Sequence, residues 1–272
     1  MNIVCLCTAL PAESRPLIEQ FQLRLRKTRG LRCYYGESVY LVETGIGKLK
    51  SASAVAAVLQ SNDLIDALIN VGIAGGAAEL GSRFIAGTVV DNASGEAWHP
   101  HLPSTRVLKD TPTSIVHTLD KPSADYQADL VFDMEASGVF TAASKYLDNS
   151  RIQCLKTISD NHTSDFSKLK KEDVSDLVGN CLQQVTALVN HFHAQPTSSW
   201  QENRDIDQLI KQMSSTARIS VSDSHSIKRL LQRISALDSA SLPSSDELAK
   251  QGHARDIKSF LESRISDSGI SY

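Results

Sequence analysis

The chain has 272 residues, 41% hydrophobic and 22% charged, with a formal net charge of −3. That length supports a full core in one large domain or two small ones, and the weak negative charge argues against a nucleic-acid surface. Five cysteines, an odd number, fit reduced thiols in a cytoplasmic protein rather than a disulfide framework.

The N-terminal stretch MNIVCLC reads as a buried strand over Ile3 to Cys7. It meets Pro11 and Glu13 soon after, so it is too short to span a membrane, and it lacks a basic leader. Cys5 and Cys7 alternate on one strand face with no second Cys/His pair at zinc spacing, which makes them core residues. An amphipathic helix is expected from Ala12 to Leu25, with Leu17, Ile18 and Phe21 at helical spacing. Val39 to Val42 reads as a strand, Ser51 to Gln60 as an alanine-rich helix, and Ala67 to Val71 as a strand ending in a glycine turn at Gly72, Gly75 and Gly76. Shorter strands are expected at Thr88 to Val90 and Ile115 to His117, then a strand from Leu130 to Phe132 leading into a helix from Glu135 to Tyr146. Ile152 to Ile158 is a last strand and Lys168 to His193 a last core helix. Strand–helix alternation of this kind predicts an α/β sheet with helices on both faces, whose ligands gather at the carboxyl ends of strands.

Beyond Ala194 the character changes. Residues 197–272 hold 18 serines, which read as linkers, and ten basic and ten acidic residues, a balance that offers no polyanion surface. Apolar residues recur at helical spacing in three sets, around Ile206, Ile227 and Ile257, and Ser244 to Glu247 has the spacing of a capping box. Three amphipathic helices are expected, packing on the core, a second subunit or another protein. The competing reading of so serine-rich a segment is partial disorder.

Four segments carry polar groups to strand ends, and each has an ordinary structural reading. Glu13 suits a first helical turn as a complement to the helix dipole. Gly72-Ile73-Ala74-Gly75-Gly76 allows close backbone approach but lacks the order of a phosphate loop or a dinucleotide turn. Asp133, Met134 and Glu135 sit at a strand-to-helix junction, and Asp160 closes the last strand, where a helix cap or loop acid would also fit. Glu96, His99 and His101 suggest a metal check, but a polar loop is the simpler explanation, and no metal is expected.

Taken in order, TALPAES, ETGIGKLKSASA, INVGIAGG, VFDMEASGVF and KTISDN resemble the nucleoside phosphorylase superfamily, and within it the 5′-methylthioadenosine/S-adenosylhomocysteine nucleosidases, over residues 1–193. The resemblance implies a three-layer α/β fold, a central mixed twisted sheet flanked by helices, over residues 1–195. Residues 196–272 form a helical, serine-rich C-terminal extension with no counterpart in the family pattern. It implies a cytoplasmic homodimeric hydrolase of methionine salvage, without cofactor, that cleaves the N-glycosidic bond of a purine nucleoside and has no nucleic-acid or membrane partner.

The same resemblance assigns roles. Asp160 is the acid that protonates the leaving base, and Glu13 the base that orients and deprotonates water. Glu135 accepts hydrogen bonds from the ribose while Met134 packs on the sugar. Ile73, Ala74, Gly75 and Ser159 complete the substrate site, and Asp133 is structural. Departures from the pattern are also visible. Asn70 stands where phosphorylases carry arginine, Ile73 where a serine holds phosphate or water, and Lys156 where arginine precedes the ISD motif. Loss of the arginine and the hydroxyl favours hydrolysis over phosphorolysis. The segment His101 to Tyr126 lacks the family's stacking phenylalanine, for which Tyr126, Trp98 or His117 are the candidates. Two alternatives stay open: a phosphate-dependent phosphorylase, and a nucleoside-binding or interaction protein that has lost turnover.

Overall fold

The structure is a computed structural model; it describes residues 3–28, 30–62, 64–108, 111–123, 125–164, 169–195, 206–213, 219–237 and 241–267. Met1–Pro196 and Thr197–Tyr272 form two compact units. In the first, β1 (Ile3–Thr8), α1 (Pro11–Gln20), β2 (Arg24–Thr28), β3 (Leu31–Tyr35), β4 (Val39–Glu43), α2 (Lys48–Ser61) and β5 (Ile65–Gly76) are followed by β6 (Arg83–Asp91), β7 (Ala97–Trp98), α3 (Thr105–Leu108), β8 (Thr113–Thr118) and β9 (Leu130–Asp133). Then come α4 (Ala136–Ala143), β10 (Ile152–Asp160), α5 (Lys171–Gly179) and α6 (Leu182–Ala194).

One mixed sheet organises the unit. β5 pairs with β1 and β10 in parallel and with β9 antiparallel. Because β10 continues through β6 and β8 back to β9, the five strands β5, β10, β6, β8 and β9 close a circuit. The other arm runs from β1 through β4 and β3 to β2. Period-two alternation divides the interior between two faces. Cys5, Cys7, Leu68 and Cys154 face one core with α2 and α4, while Val4, Leu6, Ile69 and Leu155 face the other with α1, α5 and α6. Strands buried on both faces carry apolar residues at nearly every position, and each fully buried Leu or Ile contributes about 1.5–3 kcal/mol. All five cysteines are free and buried.

The structure corrects several expectations. The first helix stops at Gln20; Gln22 takes a positive φ of 51° and the chain enters the β2–β3 hairpin, which the alternation Arg-Leu-Arg-Lys disguises. Gly72, Gly75 and Gly76 lie inside β5, not in a turn beyond it. The expected helix from Lys168 to His193 is two helices, broken near Gly179 and Asn180; Lys168 itself lies outside the described residues.

In the second unit, α7 (206–213), α8 (Val221–Leu237), α9 (Ser245–Ala249) and α10 (Ala254–Asp267) are described. Their stripes pack on one another: Ile206, Met213, Ile227, Leu231, Leu248 and Leu261 share one core. The capping box forms, with the Ser244 amide donating to Glu247 Oε2 at 2.8 Å and the Glu247 amide donating to Ser244 Oγ at 3.3 Å. The serine-rich joints 214–218 and 238–240 lie outside the described residues. No described helix is long and apolar enough to cross a membrane.

Candidate active site

Four strand ends converge on one cleft in the first unit. Where β1 ends, the chain turns into α1 and its first turn delivers Glu13, which is buried rather than solvated as a first-turn acid would be. Oε2 accepts the amide hydrogens of Ala9 at 2.8 Å and Leu10 at 2.9 Å, and Oε1 that of Ile73, on β5, at 3.0 Å. Burial raises the Glu13 pKa, opposed by these amides and by the Lys156 charge. Gly72 makes room for the carboxylate: a Cβ there would lie 2.7 Å from Oε1.

β9 ends at Asp133, and Met134 and Glu135 lead directly into α4. Asp133 is fully engaged. Its Oδ2 lies 2.8 Å from Lys156 Nζ and accepts the Ala136 amide at 2.8 Å, while Thr118 Oγ1 donates to Oδ1 at 2.7 Å. Burial opposes a charge on Lys156, but the Asp133 carboxylate beside it holds that pKa above the usual lysine range. Glu135 points elsewhere and accepts the Gly47 amide on Oε1 at 2.9 Å. Burial pushes its carboxyl up to about 7; Lys156 and the Gly47 amide oppose the shift, and the Asp133 and Glu13 carboxylates add to it.

β10 ends in Ser159 and Asp160, the latter opposite Gly75 of β5 across a register shift that follows the Ile158–Ala74 pair. Ser159 Oγ donates to Asp160 Oδ1 at 2.5 Å. The Tyr126 hydroxyl donates to Asp160 Oδ2.

The cleft is lined by every residue to which the sequence assigned a catalytic or substrate-binding role: Glu13, Ile73, Ala74, Gly75, Met134, Glu135, Ser159 and Asp160. Asp133 lines it as well, and Leu10, Ile46, Lys121, Pro122 and Phe132 were not foreseen. Of the aromatic candidates, Trp98 packs in the core at 6.4 Å from the Phe140 ring. His117 stands 6.0 Å from the Phe132 ring, and none of Trp98, His117 and Tyr126 is among the lining residues, Tyr126 lying behind Gly75 and Asp160. Asn70 is also turned away; its amide donates to Cys7 O at 3.3 Å. Lys121 is the one cationic side chain among the lining residues. His99 Nδ1 lies 3.2 Å from Thr88 Oγ1, and no cluster suited to a metal ion exists among the described residues.

Chemically, the cleft offers an apolar wall and three carboxyl groups besides Asp133, which is spent on neutralising the nearest buried cation, Lys156. No protein-family model matches the chain, and no curated protein matches its sequence. Solved structures do. A 5′-methylthioadenosine/S-adenosylhomocysteine nucleosidase from S. pneumoniae with a transition-state inhibitor is 21% identical at a TM-score of 0.57, covering 70% of this chain and 98% of that one. The corresponding nucleosidase from Colwellia psychrerythraea in complex with adenine is 18% identical at 0.61, covering 72% and 98%. Futalosine hydrolase of Helicobacter pylori is 13% identical at 0.59, covering 70% and 98%. The chain thus contains the nucleoside-phosphorylase-like fold of the 5′-methylthioadenosine/S-adenosylhomocysteine nucleosidases and futalosine hydrolase, with further residues beyond it.

Proposed function

We propose that the first unit hydrolyses the N-glycosidic bond of a purine nucleoside of the 5′-methylthioadenosine or S-adenosylhomocysteine type. The observation that carries this reading is the convergence of Glu13, Glu135 and Asp160 from the ends of β1, β9 and β10 on one cleft. A purine leaves as a neutral base only if a ring nitrogen gains a proton, and Asp160 supplies it. The ribosyl group then carries oxocarbenium character, which the Glu135 carboxylate stabilises while accepting the ribose hydroxyls. Met134 packs on the sugar, and Glu13 orients and deprotonates the attacking water. No cofactor enters this scheme.

Hydrolysis rather than phosphorolysis is supported by the surroundings of Glu13, where Ile73 lends only its amide and the Lys156 charge is spent on Asp133. The resemblance adds a homodimer, and the buried free cysteines support a reducing, cytoplasmic setting. We assign residues 196–272 to a separate helical domain. A second reading, nucleoside binding without turnover, is favoured by the three amides that already engage Glu13 and by the apolar Ile73 beside it. A nucleoside panel analysed by chromatography, with and without phosphate, tests both. Free base without phosphate supports hydrolysis, ribose 1-phosphate supports phosphorolysis, and calorimetric binding with no product supports the second reading.

A further inference from the structure

The connection between β8 and β9 brings Tyr126 to Asp160 across 34 residues. Tyr126 is buried, its carbonyl is held by His162 Nε2 at 3.0 Å, and its ring stands edge-on to the His162 ring at a centroid distance of 5.4 Å. The ring lies directly over Gly75, a cleft residue: a Cβ at Gly75 would be 2.6 Å from Tyr126 Cε1 and 2.8 Å from Asp160 Oδ2. Only glycine leaves space there for both groups. Both carboxyl oxygens of Asp160 are therefore engaged by the protein itself, Oδ1 by Ser159 and Oδ2 by Tyr126.

We propose that Tyr126 is an affinity- and specificity-determining gate at the base end of the cleft, its hydroxyl occupying the place on Asp160 that a purine ring nitrogen takes. The inference deepens the nucleosidase reading and rests on it. A base that is to receive the Asp160 proton has to come within hydrogen-bond distance of that carboxyl, about 2.6–3.2 Å, and the Tyr126 hydroxyl already occupies its Oδ2. Binding then exchanges one hydrogen bond for another, so the net gain at this end is small unless the incoming base matches the carboxyl with both a ring acceptor and a neighbouring donor. Departure of the phenol also withdraws a donor from the oxygen that must carry the proton. A purine with an exocyclic amine beside its ring acceptor satisfies this exchange; a purine with an oxo group in that place does not.

The test uses the full chain and its Tyr126→Phe variant, which keeps the ring and removes only the hydroxyl. The gate predicts that KM for 5′-methylthioadenosine and the dissociation constant for adenine both fall about tenfold, since the phenol's hydrogen bond to Asp160 no longer has to be broken. Unchanged or weaker adenine binding in the variant overturns the gate. A readout that does not depend on the variant folding is 3-fluorotyrosine placed at position 126. Its 19F resonance shifts on saturation with adenine if the phenol leaves Asp160, and an unmoved line at saturation overturns the gate. If the wild type releases no base from any nucleoside while adenine still shifts the resonance, the hydrolase reading fails and the gate stands as a binding device. If hydrolysis proceeds and Tyr126→Phe leaves KM unaltered, the gate alone fails.

Discussion

Lys156 and Asp133 meet as a closed ion pair in the interior, Nζ to Oδ2 at 2.8 Å, with side chains 2% and 0% exposed. The pair separates the two acids of VFDMEAS. Asp133 neutralises a buried cation and, through the Ala136 amide, fixes the start of α4; Glu135 is left to face the cleft. Removing one partner of such a pair strands the other charge and costs about 3–5 kcal/mol. Lys156→Met is therefore expected to lower the urea midpoint sharply. The double variant Lys156→Met/Asp133→Asn is expected to recover part of the loss, because the stranded charge is gone. Equal midpoints for the single variant and the wild type would show that the pair contributes nothing.

The pH dependence follows from Glu135. Its folded value near 7 stands above the 4.5 of an ordinary glutamate. Between those values the folded protein holds a proton that the unfolded chain has released, so this group's contribution to stability falls as pH rises through that window. Activity runs the other way. A protonated Glu135 is a poorer acceptor for ribose hydroxyls, so kcat/KM is expected to climb with pH through about 7 and level off above it. Glu135→Gln should lower kcat/KM and flatten that limb. A limb that persists unshifted in the variant would assign the titration to another group.

Ile73 offers a gain-of-function test. Its amide serves Glu13 at 3.0 Å, but its side chain presents only carbon to the cleft. Ile73→Ser keeps the backbone donor and adds a hydroxyl where the proposed hydrolysis would hold its water. Hydrolytic kcat is expected to rise about tenfold, the scale of one well-placed hydrogen bond, measured by base release in phosphate-free buffer. A fall in kcat would show that water is held elsewhere.

Much of this was legible in the chain because it is local. Strand-and-helix punctuation placed Glu13, Glu135 and Asp160 at the ends of their strands, where the structure brings them to one cleft, and the roles proposed for them rest on the motif resemblance. What escaped was of two kinds. The β2–β3 hairpin was hidden because Arg24, Leu25 and Arg26 are exposed on an edge strand, so the apolar periodicity that identifies core elements is missing. The other kind is contact between residues distant in sequence. The glycines of β5 read as a turn because nothing local shows that Gly72 makes space for Glu13, or Gly75 for Tyr126 and Asp160. Tyr126 was legible as an aromatic near the cleft, but not as a partner of Asp160.

The central claim is that Asp160 protonates a leaving purine. Adenine release from 5′-methylthioadenosine in phosphate-free buffer, compared between the wild type and Asp160→Asn, tests it most directly. The account predicts steady release by the wild type and a loss of about 10²–10⁴-fold in the variant, the usual contribution of a positioned acid, with the unfolding transition retained. Equal rates in the two proteins, or release that requires phosphate, would contradict it.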